Sequence, residues 1–409
     1  MNEGHAIAAA PSVPLYIPAL LIGASIVSIL STDLYTPSLP HLTDVFATDA
    51  ASVQRTMSLN LAGFAIAQLF YGPLADRIGR RAVLLWGMVG FLLSSMACAL
   101  APTLELLILA RTLQGITAGA EAVIGFAVIR DLYEEKGAVR ILGIYEMGIA
   151  LAPAMGPMIG GQMHVWFGWR SNFWLLAGMI VVVIVLVGRF LPETLKRPDY
   201  GALRPTRMLL GYAALLANGR YMSYLLLLAL TVAGLFAFIT EAPFVYIDRL
   251  GVPTNVYGYY YAVVVLAYFL GAFGVAYVAT KLAPDHLILV GLVLCALGGC
   301  ALLLLFALEA ETPVSLTLAA GLYGLGLGPV LAAAAVRALA LANSGHGLAA
   351  ALLSSIEMGG AGLGAMAVGL LHDGTSWPLG ISLATVTLLA LALFLAVRPW
   401  RFATAPART

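Results

Sequence analysis

Residues 52–101 read SVQRTMSLNLAGFAIAQLFYGPLADRIGRRAVLLWGMVGFLLSSMACALA. Two apolar runs flank a short polar loop, GPLADRIGRR, from Gly72 to Arg81. Each run approaches the roughly 20 residues that a helix needs to cross a bilayer. Gly72 and Gly79 permit a tight turn. Asp76 sits among Arg77, Arg80 and Arg81, which can anchor to a membrane surface. The stretch reads as a membrane hairpin with a basic turn.

The same pattern recurs along the chain. Twelve apolar runs are legible, at roughly 15–37, 52–75, 82–101, 103–131, 139–165, 170–191, 219–247, 254–280, 286–308, 312–338, 346–371 and 378–397. Pro102, Gly168, Pro192, Gly251, Pro253, Pro284, Pro313 and Pro378 punctuate their boundaries. Of 409 residues, 61% are hydrophobic and only 10% charged, against about 45–50% and roughly 25% in soluble domains. A water-soluble fold of this size would have too few charges to cover its surface. A soluble enzyme, a nucleic-acid binder and a disordered scaffold are excluded. The net charge of +1 creates no field for a polyanion. Cys98, Cys295 and Cys300 lie in apolar runs and suggest neither a disulfide nor a metal site. The first run, from about Tyr16, is too long for the core of a cleavable signal.

An even number of spans places both termini on one side. Basic residues choose the side. With cytoplasmic termini, 17 of the 21 lysines and arginines fall in inner loops or tails, including Lys281, Arg398, Arg401 and Arg408. Arg55, Arg170 and Arg249 fall outside, and Arg111 lies inside a span. The polar stretch 192–218 divides the chain into 1–191 and 219–409, each with six spans. The expected fold is all-α and integral to the membrane, with two six-helix bundles and a cytoplasmic linker. The fourth span (GITAGAEAVIGFAVIRDL) and the tenth (GLGLGPVLAAAAVRAL) both carry Gly-x-x-x-Gly and an inner arginine, a faint internal repeat.

Several polar residues lie within spans, where charge is costly and marks functional candidates. Arg111, in ARTLQG, sits roughly 12 Å from the outer end of its helix at 1.5 Å per residue. Gln114 shares nearly the same face. Asp33, in STDLYTPSLP with Tyr35 and Pro37, is the kind of buried acid that can take up a proton near neutral pH. Glu121, Glu146, Glu241 and Glu357 are further intramembrane acids, and Glu357 is the deepest in the second half. Packing or hydrogen bonding is the competing reading for each. Asp76 reads as a latch for the N-terminus of a helix in the other half, with Asp131 a partner for Arg77 or Arg80. GIALAPAMGPMIGG, from Gly148 to Gly161, combines Gly148, Gly156, Gly160 and Gly161 with Pro153 and Pro157. It reads as a smooth, bendable seam. Phe236 and Phe238 are deep enough to line an apolar cavity. No phosphate-binding lysine loop, metal-ligand cluster or elbow serine occurs, so neither an enzyme nor a cofactor is expected.

These motifs resemble a known family. GPLADRIGRR is similar to the loop motif of the major facilitator superfamily, ARTLQG to its fourth-helix motif, and GIALAPAMGPMIGG to the fifth-helix motif of its antiporters. STDLYTPSLP and LPETL resemble signatures of the twelve-span drug:proton antiporters of Bcr/CflA or MdfA-like multidrug efflux type. The resemblance implies an inner-membrane exporter of amphipathic drugs in exchange for protons, and a monomer suffices because the pathway lies between two halves of one chain. It implies that Asp33 is the coupling acid and Arg111 its partner; Glu357, from its depth in the second half, is a second candidate. It also implies a cavity lined by Met57, Tyr145, Ile149, Pro153, Leu235, Phe236 and Ile239, to which Tyr35 and Gln114 are added. MdfA-like exporters carry a second acid two turns before the helix-one aspartate, where this chain has Ser25. Glu357 or Glu241 is then the acid left to meet a cationic drug. A metabolite exporter and a membrane enzyme or receptor are the alternatives.

Overall fold

The computed structural model describes residues 14, 16–278, 282–342 and 346–397. Lys281, Arg398, Arg401, Arg408 and the start of the chain, which enter the reading of orientation and of a signal, lie outside the described residues. Every regular element described is helical. The first span is α1 (Tyr16–Asp33), followed by a short turn at Thr36–Ser38 and α2 (Leu39–Val45). The second, third and fourth are α3 (Ala50–Ile78), α4 (Arg80–Leu100) and α5 (Leu104–Leu132). The fifth is split into α6 (Glu135–Ile149) and α7 (Leu151–Phe167), and the sixth is α8 (Arg170–Phe190). After α9 (Pro205–Leu216), the seventh is α10 (Gly219–Pro243), continued by a π-helical turn at Phe244–Arg249. The last five are α11 (Thr254–Val278), α12 (Pro284–Ala307), α13 (Pro313–Ala340), α14 (His346–Leu371) and α15 (Trp377–Val397).

Local chemistry sets these boundaries. Asp49 accepts a hydrogen bond from the Ser52 backbone at the start of α3, and Asn218 does the same from Tyr221 at α10. Thr312 and Ser315 cap α13 reciprocally, with Pro313 in the first turn. Gly79 ends α3 at φ 107°, a conformation that disfavours a side chain. The fifth span breaks at Ala150 because Pro153 has no N–H for the carbonyl four residues before it.

Among the described residues, eleven helices are long and apolar enough to cross a membrane. The expected twelfth, α3, falls short by composition, not length. Gln54, Asn60 and Gln68 dilute its apolar run, yet all three are buried against neighbouring helices. The stretch 192–218 is not only a linker. It contains α9, whose apolar run MLLGYAALL packs on α10 and α14 while Leu209 and Leu210 stay exposed. Ile66, Trp86, Leu93 and Leu270 are each more than half exposed, an apolar exterior suited to lipid. This is a multi-pass membrane protein.

The bundle has two faces. Gly79, residues 191–204 and α9 share one, termed the loop face. Residues 34–49, 101–103, 168–169, 250–253, 308–312 and 372–376 gather at the far face, tied by Arg170 to the Ala101 carbonyl and by Glu311 to Arg249 and Ser376. Helices before and after α9 meet along two seams. One joins α3 to α14 and the other joins α7 to α11.

Candidate functional site

Arg111 is the largest fully buried side chain. Its guanidinium donates to the Ser31 carbonyl (2.8 Å) and to Gln114 Oε1 (2.5 Å). It lies 4.3 Å from the Tyr35 ring centre and 5.8 Å from that of Phe173, so two aromatic faces share its charge. Gln114 in turn donates to Ser95 Oγ of α4 (2.7 Å). Tyr35 is fixed by a 2.7 Å hydrogen bond to Thr56. Asp33 is buried beside this shell, close enough to Arg111 to feel its charge, but no ion pair joins the two among the described residues. On its other side Asp33 lies within electrostatic range of Tyr257 and Tyr261 of α11, across the seam.

The fifth-span motif makes that seam possible. A Cβ at Gly156 would come within 2.7 Å of Asp33 Cβ, and one at Gly160 would overlap the Leu34 carbonyl. Gly161 faces the backbone of Thr254, and Gly258 of α11 faces the backbone of Pro157 and Met158. Gly148 packs on Ile22. Side chains at these positions would hold α1, α7 and α11 apart. Gly156, Gly160, Gly161 and Gly258 therefore allow a close approach to neighbouring backbone, whereas Gly148 makes room for the Ile22 side chain.

At the loop face, Arg80 pairs with Asp76 (2.6 Å) and Asp131 (3.1 Å). Glu193 sits at the N-terminus of α4 and accepts from the backbone N–H groups of Arg80 (2.9 Å) and Arg81 (3.1 Å), where the helix dipole favours an anion. A Cβ at Gly79 would meet that carboxylate. The Asp199 N–H donates to the Asp76 carbonyl (2.9 Å). The partner of the Asp76 carboxylate in this conformation is thus Arg80, and among the described residues its expected contact with a helix beyond α9 is not formed. Arg77, also at this face, enters none of these bonds, and Gly72 lies inside α3, so the expected turn is made by Gly79 alone.

The expected cavity residues divide by burial. Met57, Tyr145 and Ile239 are buried, whereas Ile149, Pro153, Leu235 and Phe236 are half-buried. Tyr145 bonds Ser25 Oγ at 2.5 Å, which places the residue that stands for the missing acid against the fifth span. Glu357 of α14 is half-buried and lies within electrostatic range of Glu146 of α6. Tyr268 of α11 senses both. Two acids 211 positions apart thus come within electrostatic range of each other, which spacing along the chain does not reveal. Glu121 is buried, and neither carboxylate oxygen has a hydrogen-bond partner among the described residues. Glu241 is buried with two partners, Gln54 and His372, neither of which stands out in the sequence.

Comparison with known proteins adds one family, three relatives and one solved structure. The family described as Major Facilitator Superfamily matches residues 21–344. A chloramphenicol resistance protein of Pseudomonas aeruginosa is 29% identical over 378 residues, 91% of this chain and 88% of its own length. Multidrug resistance protein MdtL of Klebsiella pneumoniae is 27% identical over 91% and 93%, respectively. Multidrug resistance protein D of Escherichia coli is 34% identical over about half of each chain (51% and 52%). The partially occluded inward-open xylose transporter XylE from E. coli superimposes with a TM-score of 0.74 over 94% of this chain and 97% of its own, at 15% identity. That likeness shows the fold alone.

Proposed function

The chain belongs to the major facilitator superfamily, and we propose from that premise that it exports small amphipathic molecules in exchange for protons. The protein is a transporter, not an enzyme. Resistance to chloramphenicol and to multiple drugs, the roles named for its relatives, supports antimicrobial compounds as the cargo. We place it in the inner membrane with the loop face cytoplasmic, because arginines crowd that face. The two sets of helices, 1–191 and 219–409, move as the two halves of an alternating-access carrier, and one copy of the chain suffices.

One observation carries the coupling. Asp33 is buried at a seam, flanked by the Arg111 shell on one side and by Tyr257 and Tyr261 on the other. A carboxyl group there changes the charge felt by both halves when it binds a proton. Protonation therefore biases the closing of one face against the other. Proton and substrate favour different states of one cavity, which is the condition for exchange. Ile149, Pro153, Leu235 and Phe236 give that cavity an apolar wall, and Glu146 with Glu357 gives it an acidic patch suited to a cationic group.

Sealed proteoliposomes with an internal pH dye and an imposed pH gradient test the reading. Chloramphenicol-like and lipophilic-cation drugs, added in turn, should each evoke proton movement. Folded protein that moves no proton with either class would contradict drug:proton exchange.

A further inference from the structure

A buried polar bridge crosses the α3–α14 seam at the far face. Gln54 of α3 and Glu241 of α10 are both fully buried. Gln54 Nε2 donates to Glu241 Oε2 at 2.7 Å, and His372 Nδ1 lies 2.7 Å from Glu241 Oε1. A Cβ at Gly369 of α14 would come within 2.5 Å of Gln54 Oε1, so the amide is clamped between α14 and α10. His372 follows α14 directly and is one-fifth exposed, whereas the Glu241 side chain is not exposed at all. A cavity of about 170 Å³ lined by Glu241, Phe244, Asp248, Arg249, His372 and Thr375 borders the pair.

We propose that Glu241 and His372 form a second proton site, separate from Asp33, that latches the far face shut through Gln54. The inference rests on the alternating-access reading above. Glu241 and His372 belong to one half of the molecule and Gln54 to the other. Opening the far face must therefore pull Gln54 from the carboxylate and admit water. With His372 protonated, the buried carboxylate has a cation beside it and Gln54 makes a charge-assisted bond. Once water enters, it screens that attraction.

The surrounding charges agree. The hydrogen bond to Glu241 holds the His372 imidazole above its usual range against the cost of burial, and the nearby Asp373 and Asp248 add to it. Asp44 of α2 lies close to Asp248. Arg249, the cation on the π-helical turn, is engaged by Glu311. Arg55, beside Gln54 on α3, is exposed in a lateral groove with Gly369. The latch is thus strongest below the ordinary histidine range and weakens as pH rises through the raised value. Acid at the far face closes it, which is the direction a proton-loaded exporter must take to return to its inward-open form.

The test reads far-face distance in the full chain, in nanodiscs, without transport. Spin labels at Glu105 and Val314, with Cys300→Ser, should stay close in acid and separate as the pH rises through neutrality. His372→Gln keeps a donor without a titratable charge, and Glu241→Gln removes the acid. Each should shift the midpoint by about one pH unit or more, or abolish the dependence. Gln54→Leu should leave the face open at every pH, and Gln54→Glu should require more acid to close it. The latch survives Asp33→Asn. A midpoint unchanged in His372→Gln, or a far face still closed in Gln54→Leu, would overturn the proposal. A His372-dependent midpoint in a protein that moves no protons with drugs keeps the latch and removes only the exchange reading.

Discussion

The two halves of the chain place ion pairs at matching positions with opposite polarity. In the first half, Arg80 at the start of the third span pairs with Asp131 at the end of the fourth. In the second, Asp285 at the start of the ninth pairs with Arg337 at the end of the tenth. Glycine packing repeats as well. Gly115 of the fourth span lies against the Asn60 backbone of the second, and Gly328 of the tenth lies against Ala272 of the eighth. The pairs differ in environment. Asp285 is only 4% exposed and also accepts from Tyr224 (3.0 Å), whereas Asp76 and Asp131 are 45% and 28% exposed. The place of the tie between helices is matched in the two parts of the chain, and its chemistry is not.

Removing each tie should expose that difference in thermal unfolding of purified protein. Arg337→Ala strands a buried carboxylate and should cost about 3 kcal/mol. Gly328→Ala and Gly115→Ala force backbones apart and should cost about 2 kcal/mol each. Gly119→Ala should be tolerated, because its Cβ would meet nothing closer than 3.4 Å. Arg80→Ala should cost about 1 kcal/mol or less, since solvent screens its partners. Equal losses for Arg80→Ala and Arg337→Ala would erase the contrast. Swapping both members, Asp285→Arg with Arg337→Asp, should recover part of the single-mutant loss.

A smaller effect concerns pH at the far face. Burial works against the Glu311 carboxylate, but hydrogen bonds from Arg249 and Ser376 outweigh it and hold the group below its ordinary range. Its stabilisation is present above that range and disappears as pH falls through the lowered value. Glu311→Gln should therefore flatten the acid limb of the stability curve. The exposed Arg207–Asp199 pair should be least important, and Arg207→Ala should leave unfolding unchanged.

Much of the fold is legible because a bilayer demands about 20 apolar residues per helix. Proline and glycine mark the ends of such runs, and the observed helix ends lie within a few residues of them. The α9 helix is not legible because its apolar run is short and sits among charges. The break at Ala150 is not legible because a proline such as Pro153 inside an apolar run signals a bend as readily as an interruption. Asp33, Arg111 and the glycines of the fifth span stand out because each is costly or unusual inside a membrane. Their neighbours do not stand out. Tyr257, Gln54 and His372 are ordinary residues in their own stretches, and they gain meaning only when α3, α10, α11 and α14 come together. The electrostatic proximity of Glu146 and Glu357 is hidden for the same reason.

The central claim is that Asp33 couples protons to substrate. The direct measurement is drug-evoked proton flux in sealed proteoliposomes, compared between the native chain and Asp33→Asn. The account predicts flux in the native protein and none in Asp33→Asn, with drug binding retained. Equal flux in both would contradict it and shift the coupling role to Glu357.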